Sequence, residues 1–63
     1  MYLIIYENNF LVKPLVSVND VITKGIAYEV LYITQDEEGE EHYELIGDDN
    51  QYHSLNSKYF YKI

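Results

Sequence analysis

The sequence predicts an all-β domain, and three observations lead there. Eight Tyr and two Phe stand among many Val and Ile, with few strong helix formers in any window. The apolar runs are short, and clusters of Asn, Asp and Gly separate them. With 63 residues and no cysteine, the chain buries only about 60% of its unfolded surface and has no disulfide to hold it. One domain covering residues 1–63 is expected, stabilised by packing alone.

Each element follows from a local signal. Residues 2–6 form an apolar run, and Glu7, Asn8 and Asn9 read as a turn, because Asn tolerates the left-handed backbone of tight hairpins. An opening hairpin is therefore expected. The second run, residues 10–18, contains Pro14, which donates nothing to a ladder and so predicts an edge strand or a bulge. Asn19 and Asp20 break the pattern, and Thr23, Lys24 and Gly25 break it again. Residues 26–34 then alternate, with Ile26, Tyr28, Val30 and Tyr32 on one face and Ala27, Glu29, Leu31 and Ile33 on the other. Both faces are partly apolar, as in a strand that curls within a small barrel.

Residues 35–41 form a polar loop with Gly39 at its left-handed position, followed by a strand at 42–46. Gly47, Asp48, Asp49 and Asn50 make the next turn, and a strand at 51–55 follows. Residues 56–58 read as a single helical or 3₁₀ turn before a closing strand at 59–63. Five or six short strands with tight turns imply a strongly bent sheet, since a flat one would leave its edges unpaired. The short turn before the last strand points to an SH3-like barrel. An OB-fold would need more chain.

Composition excludes several functions. Four lysines against eleven carboxylates give a net charge of −7, and Lys13, Lys24, Lys58 and Lys62 are scattered. Direct nucleic-acid binding needs a basic stripe and is not expected. An anionic membrane would repel the chain, and no run reaches the roughly 18–20 apolar residues of a spanning helix. No basic segment precedes the apolar N-terminus, so a signal peptide is not expected and a cytoplasmic location is. His42 and His53 are the available imidazoles, but Ser17, Ser54 and Ser57 lie in no elbow or triad context. No catalysis and no cofactor are expected. Lys24-Gly25 lacks the rest of a phosphate loop and reads as a turn. No metal is expected either: with Gly39 at the sixth position of an EF-hand loop, Thr34 falls at the first, and the spacing fails.

Two constellations remain. Eight carboxylates, Asp36, Glu37, Glu38, Glu40, Glu41, Glu44, Asp48 and Asp49, fall in residues 36–49 without a lysine. If adjacent hairpins bring both loops to one end, they form a negative surface that competes for a basic groove, as a nucleic-acid mimic would. The same loops would also serve to keep an aromatic-rich chain in solution. The eight tyrosines exceed what so small a core holds. Most are expected in cross-strand pairs, with Tyr43 and Tyr52 as exposed anchors beside the acids. The apolar segment 2–6, if it is an edge, would support homodimerisation.

From Lys24-Gly25-Ile26-Ala27-Tyr28-Glu29-Val30, through the acidic loop and Tyr43-Glu44-Leu45-Ile46-Gly47-Asp48-Asp49-Asn50, to Ser57 and Phe60, the chain resembles small SH3-like proteins of phages and prophages of Gram-positive bacteria. The resemblance spans residues 24–63. It implies an SH3-like barrel and a phage origin, hence action in the host cytoplasm. The function expected on that basis is a protein-binding inhibitor whose acidic residues and tyrosines, Asp36, Glu37, Glu38, Glu40, Glu41, Tyr43, Asp48, Asp49 and Tyr52, occlude a basic surface of a host or defence protein. The alternative is a homo-oligomeric accessory protein assembling through its N-terminal hairpin edge.

Overall fold

The computed structural model describes residues 9–63 together with the backbone strand at 3–6. Among these residues the architecture is all-β: seven strands form two antiparallel sheets, with one 3₁₀ turn. In chain order the strands are β1 (Leu3–Tyr6), β2 (Phe10–Pro14), β3 (Tyr28–Val30), β4 (Tyr32–Gln35), β5 (Glu41–Ile46), β6 (Tyr52–Asn56) and β7 (Phe60–Lys62), with the 3₁₀ turn at Ser57–Tyr59. One sheet has the order β1-β4-β5-β6 and the other β3-β2-β7. The hydrogen-bond ladders thus make two sheets and do not close into a single ring.

Three expectations about the first half are corrected. Among the described residues the opening hairpin is not made: β1 pairs with β4, while β2 lies between β3 and β7. Its proposed turn includes residues 7 and 8, which fall outside the described residues. Pro14 does not mark an edge strand, since β2 is the centre of its sheet, and the edge it occupies is only local. It is tolerated because pairing with β3 stops at Val12, so Pro14 has a ladder neighbour only in Phe60 of β7. The single strand expected at 26–34 is two. At Leu31 the chain leaves one sheet for the other, and the Leu31 N–H donates to the Glu44 carbonyl at 2.8 Å. That crossing explains the mixed polarity of the segment: Tyr28 and Val30 face inward before the bend, Ile33 after it.

The core lies between the sheets. Val12, Tyr28, Val30 and Phe60 of the three-stranded sheet meet Ile33, Tyr43 and Leu45 of the other, with Ile22 added from the long connection between β2 and β3. The Tyr43 ring stands edge-on to Phe10 at 5.5 Å and lies 5.6 Å from Phe60, tying the sheets together. Asn56 caps the 3₁₀ turn by accepting the Lys58 N–H at 3.0 Å. No helix among the described residues is long and apolar enough to cross a membrane.

Candidate partner-binding surface

The loop between β4 and β5 is built by its first carboxylate. Asp36 Oδ1 accepts the Glu38 and Glu40 N–H groups at 2.9 Å each, and Asp36 Oδ2 meets His42 Nε2 at 2.9 Å. Gly39 completes the turn at φ +84°, where a side chain would be strained. The His42 contact and then the loop amides hold the Asp36 carboxyl below the usual carboxylate range. Asp36 is therefore committed to shaping the loop. Glu37, Glu38, Glu40 and Glu41 are exposed, and Glu40 Oε1 accepts from Asn56 Nδ2 at 2.6 Å.

The turn between β5 and β6 uses its acids in the same way. Asp48 Oδ2 accepts from the Thr23 hydroxyl and Oδ1 from the Tyr28 hydroxyl, both at 2.6 Å, while the Asp48 N–H donates to the Val21 carbonyl at 2.7 Å. This one residue fastens the β2–β3 connection to the β5–β6 turn. The Thr23 hydroxyl, followed by that of Tyr28, lowers the Asp48 pKa. Asp49 pairs with His53 at 3.0 Å and accepts the Gln51 N–H, and the histidine contact is the main reason its pKa is also lowered.

The two acidic loops do not share an end. They lie at opposite ends of β5, because successive turns of an antiparallel meander alternate sides. Five residue steps from Glu41 to Ile46 separate them by roughly 17 Å. The expected single acidic end is replaced by an acidic sheet. The strands β4, β5 and β6, with their loops, carry all eight carboxylates of residues 36–49 and no lysine. The four lysines sit on β2, the β2–β3 connection, the 3₁₀ turn and β7. The lysine-bearing half also holds Asp20 and Glu29, so the separation is of the lysines from these eight acids.

The two expected anchors also part. Tyr43 is only 9% exposed and belongs to the core, so it offers no surface contact. Its position in β5 places it on the inner face with Leu45, and sequence alternation alone did not say which face that was. Tyr52 is 48% exposed, with its ring 6.1 Å from that of Tyr32. Partial burial of its phenol, the Tyr32 hydroxyl and the charge of Glu44 push its pKa upward.

Glu44 was legible only as one more acid, yet it is 6% exposed. Its Oε2 accepts from the Thr34 hydroxyl at 2.8 Å and the Ser54 hydroxyl at 2.6 Å, on the face of the sheet away from the core. Finding this row needs the register Tyr32↔Glu44↔Ser54, which no spacing in the chain reveals. Among the described residues no group of three or more His, Asp or Glu side chains is placed to hold a metal ion. No family model, curated protein or solved structure matches this chain.

Proposed function

We propose that this chain is a non-enzymatic, SH3-like protein-binding module that engages a basic surface of another protein. The observation that carries it is the concentration of carboxylates with one sheet: β4, β5 and β6 with their two loops hold eight of them and no lysine or arginine. The SH3-like assignment draws support from a three-strand meander, one 3₁₀ turn before the last strand, and a strand pair bent between sheets at Leu31. Both histidines are engaged with aspartates that shape hairpin turns, which favours a structural use for them. With the resemblance to phage proteins, the reading becomes a phage-encoded inhibitor that occludes a basic surface of a host or defence protein. Exposed Glu37, Glu38, Glu40 and Glu41 supply the field, and Tyr52 supplies an aromatic contact.

The test is capture from a Gram-positive host lysate, followed by a salt titration of the purified pair. Raising ionic strength from about 0.1 M to about 1 M cuts the Debye length from roughly 10 to 3 Å and should weaken the complex steeply. Combined Glu37→Lys, Glu38→Lys and Glu40→Lys substitution should abolish it. Binding that ignores both changes overturns the electrostatic reading. A second reading, a homo-oligomeric phage accessory protein, is favoured by one observation: β1 lies at an edge of the four-stranded sheet. A monomer in sedimentation at micromolar concentration removes it.

A further inference from the structure

At the other edge of the four-stranded sheet, among the described residues, lies β6. Its pairing with β5 runs through five consecutive residues without a bulge, from His42↔Asn56 to Ile46↔Tyr52. The Gly47 N–H donates to the Gln51 carbonyl at 2.9 Å, and that bond sets the phase of the ladder. Leu45 with His53 and Tyr43 with Leu55 are then the hydrogen-bonded pairs, so Tyr52 and Ser54 direct their backbone N–H and C=O groups away from β5. Natural edges are guarded by lysine, proline, bulges or extreme shortness. The strand Tyr-His-Ser-Leu-Asn has none of these, whereas β3 and β7 are three residues each and β7 carries Lys62.

The side chains along this edge lead to carboxylates. Ser54 donates to Glu44 and Asn56 to Glu40, each at 2.6 Å, and His53 pairs with Asp49 at 3.0 Å. Tyr52 adds an exposed ring. A strand added here places its residues about 5 Å from Tyr52, Ser54 and Asn56 on the same face. Lysines at alternate positions would meet the exposed Glu40 or lie over the Tyr52 ring. A second copy of this chain is a poor occupant, because pairing two β6 strands would set Glu40, Glu44 and Asp49 against the same carboxylates of the other copy.

We propose that β6 is a strand-addition site, and that its occupant is an extended, lysine-bearing segment of the partner protein. The proposal rests on the reading that the partner is basic, and adds where and in what conformation it binds. The probe is a short peptide of alternating lysine and valine, with a glutamate–valine peptide as control, and the readout is amide hydrogen exchange in the intact chain. The lysine peptide should slow exchange at Tyr52 and Ser54 by about tenfold or more at saturation, and the control should not. Ser54→Lys, which places a guard on the edge, should lose binding at least about tenfold. Salt-sensitive binding that leaves those amides unchanged, with Ser54→Lys binding as well as the parent, overturns the edge site and spares the basic-partner reading. No binding of the lysine peptide overturns both. Slowing at Tyr52 and Ser54 that grows with protein concentration and needs no peptide overturns the proposal in favour of a second copy.

Discussion

Tyr28 shows how one hydroxyl organises a region of the molecule. It accepts the Thr23 N–H at 2.8 Å and donates to Asp48 at 2.6 Å, so the β2–β3 connection, β3 and the β5–β6 turn meet at a single atom. Burial, then the bond to Asp48, raises the phenol pKa above its ordinary value. A raised acid pKa favours the neutral phenol in the fold. Its contribution is therefore complete below about pH 10 and is lost as pH rises through the folded value. Tyr28→Phe should cost about 1–2 kcal/mol near neutral pH in denaturant unfolding. It should also remove that part of the alkaline destabilisation, so the curves of parent and variant converge above pH 10. An unchanged gap across that range would contradict the assignment. At this scale the sequence was readable only in part. Asp36 and Asp49 shape their turns through amides and histidines two to six residues away, whereas Asp48 depends on the Thr23 and Tyr28 hydroxyls, brought from twenty or more residues away.

Elements were more legible where turns are local. Gly39 and the 3₁₀ turn fall where residue chemistry placed them, because left-handed backbone and Asn capping are decided by near neighbours. The β4–β5 and β5–β6 pairs follow from their turns, but distant partners were not legible, since antiparallel pairing of β1 with β4 joins residues about thirty apart through backbone groups common to every sequence. Gly47 shows the same division. It looks like an ordinary turn glycine, yet a Cβ there would lie 2.6 Å from the Val21 carbonyl and 2.8 Å from a His53 ring carbon. Close approach of the β2–β3 connection excludes a side chain. Gly47→Ala should therefore displace that connection from the β5–β6 turn. Hydrogen exchange at Asp48, whose N–H donates to Val21, should speed up by about tenfold or more, while the β4–β5 loop stays unchanged.

For the molecule as a whole, three carboxylates held below their ordinary pKa contribute stability that is lost in acid. Asp36 and Asp49 are lowered chiefly by His42 and His53, and Asp48 by Thr23 and Tyr28. A lowered acid pKa means stability that is present above the unfolded value near pH 4 and lost as pH falls through the folded one. Thermal midpoints measured downward from pH 5 should fall below about pH 4, and Asp48→Asn should flatten part of that slope. The sequence by itself determined the all-β class, the acidic balance, the positions of most turns and the lack of any basic stripe, because these depend on composition and on neighbours along the chain. Only the tertiary structure decided that the eight acids of residues 36–49 go with one sheet and lie largely at its two opposite ends, that Tyr43 is core and Tyr52 surface, and that β6 is an open edge among the described residues. The physical reason is register: a strand's side chains alternate whatever its partners, and only the pairing of distant strands chooses which face is buried and which edge remains unpaired.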